Sequence, residues 1–144
     1  MIFYSTKRFK KSLENLNSKK KVYSCINYHL FKELHNKTNN ELFDYGFRLN
    51  GNHPKARLLK IRIQSCGGNA KSEGFRVIVF VNIEKGTYNF LDVYPKTGPL
   101  GKENMKKDER KLCLEELKAE QHSLYTVNLD YDKKRLVIVP KKKK

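Results

Sequence analysis

Three kinds of feature are missing from this sequence, and each absence excludes a class of protein. Its three cysteines, Cys25, Cys66 and Cys113, include no Cys-x-x-Cys pair, and their odd number argues against a disulfide framework, so we expect reduced thiols. The four histidines have no metal-ligand spacing with these cysteines, so no metal site is predicted. No apolar run approaches membrane length. The apolar stretch at the amino terminus, residues 1–4, is too short for the apolar region of a signal peptide. We therefore expect a cytoplasmic protein with no membrane partner and no small-molecule cofactor.

Acidic residues are also scarce. Fifteen Asp and Glu stand against 31 Lys and Arg, which gives a net charge of +16, far more than solubility requires. The ligand should be anionic, and nucleic acid is favoured because eight Tyr and eight Phe accompany the charge and can stack on bases. The charge is spread along the chain, whereas a peripheral membrane protein would concentrate it in one amphipathic helix. The alternative is that the lysines merely solvate the surface.

A predicted β-hairpin organises the chain. Residues 74–84 and 87–94 are rich in β-branched and aromatic side chains, and Lys85-Gly86 between them is a turn signal. Residues 56–64 alternate as a third strand, with apolar side chains on one face and Lys60 and Arg62 on the other. The second face is predicted to meet an anion or the solvent.

The remaining pattern predicts an α+β fold in a single domain, residues 1–140. Two amino-terminal helices, the second from about 19 to 35, should pack on one face of a small antiparallel sheet. We also expect a loop over residues 36–55, a charged helix over 106–121 and an added hairpin over 124–139. The lysine tail, residues 141–144, should be disordered.

Two short motifs resemble the RelE/ParE superfamily of bacterial toxins, and in particular its HigB-like branch. Residues 71–78 read Lys-Ser-Glu-Gly-Phe-Arg-Val-Ile, and residues 94–96 read Tyr-Pro-Lys. The family has a Lys-Ser-Gly-Gly-x-Arg-Val-Ile-like start to one strand and a Tyr-x-Lys end to the next. Glu73 replaces a usual glycine here. The resemblance covers residues 60–96 in motif and about 2–120 in layout, and it implies a RelE-like fold.

The resemblance also implies a function. Such toxins are metal-independent endoribonucleases that cleave translated mRNA on the ribosome and are held inactive by an antitoxin, so mRNA, the ribosome and a cognate antitoxin are the expected partners. Cleavage requires removal of a 2′-hydroxyl proton, stabilisation of the charged transition state and protonation of the leaving oxygen. Arg76 is the first candidate for the scissile phosphate. Lys96 is a candidate proton donor or phosphate clamp, and Tyr94 a candidate for base stacking or proton transfer. The expected phosphate-binding neighbours are Lys60, Arg62 and Lys71.

Two other functions stay open. A ParE-like toxin would bind DNA gyrase without hydrolysing anything, and a basic nucleic-acid-binding module could have lost its activity. For Arg76 the structural alternative is a salt bridge to Glu73 or Glu84. For Tyr94 it is burial in the sheet. Convergence of Arg76 and Lys96 on one phosphate would favour the nuclease.

Overall fold

A seven-stranded mixed sheet forms the centre of the protein. A computed structural model describes residues 1–18, 23–49, 53–66, 74–97, 100–102 and 104–140. The strands are β1 (Ile2–Ser5), β2 (Phe47–Arg48), β3 (Ala56–Ile63), β4 (Phe75–Asn82), β5 (Thr87–Pro95), β6 (Tyr125–Asp130) and β7 (Arg135–Val139). They lie in the order β2-β3-β4-β5-β1-β6-β7. Only the β1–β5 pair is parallel among these neighbours.

Four helices lie within the described residues: α1 (Lys7–Ser18), α2 (Ile26–Leu34), α3 (Asn39–Asp44) and α4 (Lys107–Glu120). Thr6 caps α1, because its hydroxyl accepts the Phe9 N–H at 3.3 Å. The first helix and the charged helix lie where the sequence predicts them. Residues 19–22, where the predicted second helix would begin, lie outside the described residues, as does the lysine tail. Within the described ranges, no helix is both long and apolar enough to cross a membrane.

The chain is α+β, but the predicted small antiparallel RelE-like sheet is wrong. β1 lies between β5 and β6, and it runs parallel to β5. This insertion joins the carboxyl-terminal hairpin to the main sheet, so β6 and β7 extend the sheet instead of forming a separate addition. The sequence could not show this, because the alternation of a four-residue strand identifies its faces but not its partners.

The predicted loop over residues 36–55 is also wrong in part. Thr38 and Glu41 form a capping box: the Glu41 N–H donates to the Thr38 hydroxyl at 3.2 Å, and the Thr38 N–H donates to the Glu41 carboxylate at 3.0 Å. This box begins α3. The two-residue strand β2 follows and pairs with β3, with Phe47 opposite Lys60.

One face of the sheet, called here the apolar face, carries the main core. Three helices cover it: α1, α2 and α3 all bury their apolar side chains against it. On the strands, its residues include Leu59, Ile61, Ile63, Phe75, Val77, Val79, Val81, Tyr88 and Phe90. Phe90 is completely buried and stacks on Phe9 of α1, with 4.7 Å between the ring centroids. This layer accounts for most of the buried apolar area and therefore for most of the stability.

The opposite face, called here the basic face, has a thinner cover. Among the described residues, its apolar cluster contains six buried members, Leu58, Ile78, Leu91, Tyr94, Met105 and Cys113. The last of these is the one buried residue of α4. An ion pair fastens this helix to α1, because Arg8 Nε lies 2.6 Å from the Glu116 carboxylate. Beside this narrow cover, Lys60, Arg62 and Lys96 remain partly or fully exposed to solvent.

A disulfide joins Cys25 to Cys66, contrary to the expectation of reduced thiols. The two Cα atoms are 5.4 Å apart, although the cysteines are 41 positions apart in the chain. Packing of α2 beside the end of β3 brings them together, and an odd cysteine count does not exclude one pair. Cys113 is free and buried, and burial raises its pKa to about 11. The bond ties α2 to the end of β3.

Candidate anion-binding site

Five cations gather on the basic face, and they are called here the cation cluster: Lys60, Arg62, Arg76, Lys96 and Arg110. The strand register explains three of them. Arg62 lies directly opposite Arg76, and Arg76 lies directly opposite Tyr94, so these side chains form one row across β3, β4 and β5. Lys60 is two residues from Arg62 on the same face of β3. Like charges in adjacent positions repel each other, so the row is held together at an electrostatic cost.

Lys60 reports this positive potential. Its pKa is lowered below the usual lysine value, first by burial and then by the charges of Arg62, Arg76, Arg110 and Lys96. In the part of the chain that the structure describes, no carboxylate pairs with Lys60, Arg62, Lys96 or Arg110. An anion placed among these side chains would relieve the repulsion. The cluster therefore has the electrostatics of a phosphate-binding site.

Arg76 is brought into the cluster, but its side chain lies beneath the surface. The side chain is only 2% exposed, and its Nη1 donates to the Phe75 carbonyl at 3.2 Å. Burial, followed by the charge of Arg62, lowers its pKa. β4 places the side chain beneath the site, where its charge adds to the potential that a bound anion experiences.

Tyr94 is also buried, with 5% exposure. Its hydroxyl accepts the Met105 N–H at 3.1 Å, and burial raises its pKa. A tyrosine with a raised pKa stays neutral near pH 7, so Tyr94 is poorly suited to act as a base. It forms part of the floor of the site and fixes the segment that leads into α4.

Lys96 follows β5 and is half-buried. Its backbone N–H donates to the Gly74 carbonyl at 2.9 Å, which brings it to the same end of the hairpin as Arg76. Gly74 is required here, because a Cβ at this position would lie 1.9 Å from the Ile63 carbonyl oxygen. Lys71, the remaining predicted phosphate ligand, lies outside the described residues.

A pocket of about 250 Å³ opens beside the cluster. Its lining includes two of the cations, Lys60 and Arg110, together with Tyr94 and a set of residues that sequence reasoning did not assign to the site: Phe47, Leu49, Ile78, Asn104 and Met105. Arg110 was missed because it lies on α4, and only the tertiary fold places that helix over the strands.

No protein-family model, curated protein sequence or solved structure matches this chain. The function of the site is therefore argued from its own geometry.

Proposed function

We propose that the protein binds RNA through the cation cluster and cleaves the RNA backbone as the toxin of a toxin–antitoxin pair. The observation that carries the proposal is the convergence of Lys60, Arg62, Lys96 and Arg110 above the buried Arg76, with a pocket beside them. The resemblance of residues 71–78 and 94–96 to the toxin motifs supports the choice of reaction. The proposal does not depend on a RelE-like sheet, which the structure contradicts.

Lys60 is the best-placed group for proton removal. Lys60 binds phosphate in its protonated form, and its lowered pKa makes the neutral form more accessible than it is for an ordinary lysine; that neutral form can accept the proton of an RNA 2′-hydroxyl. The resulting 2′-oxygen attacks the adjacent phosphorus, and the bond from phosphorus to the 5′-oxygen breaks. The products are a 2′,3′-cyclic phosphate and a 5′-hydroxyl. Lys96 supplies the proton for the leaving oxygen.

Arg62 and Arg110 have a different part in this proposal. Guanidinium groups remain protonated and can hold two phosphate oxygens at once, so they suit the charge that develops on the phosphate. Arg76 contributes to phosphate binding through its buried charge instead of direct contact. Tyr94 holds the segment that leads into α4 in place. These assignments change the roles that the sequence suggested for Arg76 and Tyr94.

The proposed partners follow from the same charge. Translated mRNA on the ribosome is the proposed substrate, and the cytoplasm is the proposed location, although a disulfide such as Cys25–Cys66 is uncommon in that compartment. A cognate antitoxin would mask the cluster with an acidic segment or displace α4, whose single buried residue gives it weak docking. Both partners are inferred from the resemblance and from the net charge of +16.

RNA binding is tested with single-cation variants. Lys60→Ala and Arg62→Ala should each weaken binding and flatten the salt dependence of log K by about 0.7 for each lost phosphate contact. Lys133→Ala removes an exposed lysine in the turn between β6 and β7, so it is the matched control and should bind as the wild type does. Binding that does not respond to salt would contradict the proposal and indicate a protein partner such as gyrase.

Cleavage is tested by analysis of the product ends and by the pH dependence of the rate. Removal of a positioned general base typically costs 10²–10⁴-fold, so Lys60→Ala should reduce turnover by about that factor. The wild-type rate should rise with pH below the lowered pKa of Lys60, because the neutral amine is the active form, and Lys60→Arg should lose this rise. Products with 3′-hydroxyl ends, or a Lys60→Ala variant of full activity, would overturn the mechanism.

A further inference from the structure

Phe47 is an unusual side chain for its position. It lies on the edge strand β2 and is 65% exposed, and it lines the same pocket as two cations of the cluster, Lys60 and Arg110. Its strand partner is Lys60, whose Nζ lies 5.5 Å from the centroid of the Phe47 ring. A large exposed aromatic ring beside cations contributes little to the core. Such a pairing is typical of surfaces where bases stack and phosphates are neutralised together.

The adjoining pocket has the size and chemistry of a nucleobase site. Its volume of about 250 Å³ accommodates one planar heterocycle but not a folded peptide segment. Phe47, Leu49, Ile78 and Met105 give it apolar walls, and Lys60 and Arg110 lie at the same pocket. Asn104 adds an amide, which can both donate and accept hydrogen bonds at the edge of a base.

We infer that this pocket holds one unpaired base of the RNA, with its ring against Phe47 and its flanking phosphates on Lys60 and Arg110. This inference rests on the proposed function and narrows its substrate to single-stranded RNA. A base in a duplex is stacked and paired, so it cannot enter the pocket without being extruded. An apolar peptide side chain would fill the same walls but would leave the cations without a counter-charge. The base therefore sets the register of the strand, and the phosphates bind on either side of it.

The experiment compares two ligands of equal length and charge: a single-stranded RNA oligomer and a ribose-phosphate oligomer that lacks bases. Phe47→Ala should weaken binding of the RNA about tenfold or more, as expected for loss of one aromatic–base stack. The same variant should leave binding of the base-free oligomer and the salt dependence unchanged, because no phosphate contact is lost. Phe47→Tyr should restore RNA binding.

Tyr131→Ala is the matched control, because this aromatic residue is 62% exposed and lies in the turn between β6 and β7. It should bind both oligomers as the wild type does. Thermal melting of Phe47→Ala should match the wild type, since the ring is mostly exposed, and this comparison separates a binding defect from unfolding.

The outcomes distinguish the inference from the proposed function. If Lys60→Ala weakens RNA binding but Phe47→Ala does not, the base pocket is wrong and the phosphate site stands. If the wild type binds no RNA, the proposed function fails, and the pocket is then judged by titration with adenosine and uridine monophosphates. Shifts of the Met105 methyl resonance that Phe47→Ala abolishes would support the pocket, and unshifted resonances would overturn it.

Discussion

The two faces of the sheet differ in what covers them and in what they contain. The apolar face lies under three helices and contributes aliphatic and aromatic side chains from nearly every strand. Among the described elements, α4 is the one helix on the basic face, and this face places three cations of the cluster on β3 and β4. Because one sheet supplies both faces, the same strands that fix the fold also hold the cations at fixed spacing. Stability should therefore respond mainly to changes on the apolar face, and RNA binding mainly to changes on the basic face.

The largest effect is expected from Phe90→Ala on the apolar face. The ring is fully buried and packs against Phe9 and Tyr88. Loss of a buried phenyl group typically costs about 3–5 kcal/mol of unfolding free energy, since it leaves a cavity. Urea denaturation would measure this loss. Phe47→Ala is the matched substitution on the exposed edge, and a similar loss there would break the contrast between the faces.

Reduction of the Cys25–Cys66 disulfide should have the next largest effect. The bond joins cysteines that are 41 positions apart, and a loop of this size typically gives about 2–4 kcal/mol of stabilisation by restricting the unfolded chain. Addition of a reductant should lower the urea midpoint of the wild type. Cys25→Ala should already melt lower and should not respond to the reductant. A midpoint that is the same with and without reductant would show that the pair does not stabilise the protein.

Arg76→Ala should destabilise the protein. The side chain is 2% exposed, so its removal leaves space beneath the cluster and takes away packing of the arginine stem. We expect a loss of about 1–3 kcal/mol. RNA binding should be compared at a temperature where the variant is fully folded. A melting temperature equal to that of the wild type would show that Arg76 contributes only to function.

The smallest expected effect is a gain in stability instead of a loss. Arg62→Gln removes a cation that lies directly opposite Arg76, and relief of this repulsion should stabilise the fold by about 0.2–1 kcal/mol. The same variant should bind RNA more weakly. Lys133→Gln is the control and should change neither property. Destabilisation by Arg62→Gln would mean that Arg62 stabilises the fold, and it would contradict the interpretation of the cluster as an anion-binding site.

Local pattern predicted the parts of the fold that depend on neighbouring residues. Strict alternation in β3 correctly assigned Leu59, Ile61 and Ile63 to the core and Lys60 and Arg62 to the other face. The helical spacing of apolar residues in α1 predicted its buried side correctly. The turn at Gly86 is also confirmed, because its φ of +66° suits a residue without a side chain.

Features that depend on distant contacts could not be predicted in this way. The parallel pairing of β1 with β5 and the approach of Cys25 to Cys66 arise only when the layers pack. The burial of Arg76 depends on the cover over β4, which the alternation of that strand does not describe. Phe47 was assigned to a loop, because a two-residue strand leaves almost no periodic signal. The capping box at Thr38 and Glu41 was a local signal for α3 that could have been used.

The position of β1 constrains the order of events during synthesis. Ser5 pairs with Phe90 on one side and Tyr125 on the other, so the first strand has no partner on its second edge until about 120 more residues have been made. At typical rates of translation this delay is roughly 6–24 seconds. During that time α1 can form, but the sheet cannot close around β1. Folding should therefore be completed late, and truncated chains that end before β6 would expose one edge of β1 to other strands.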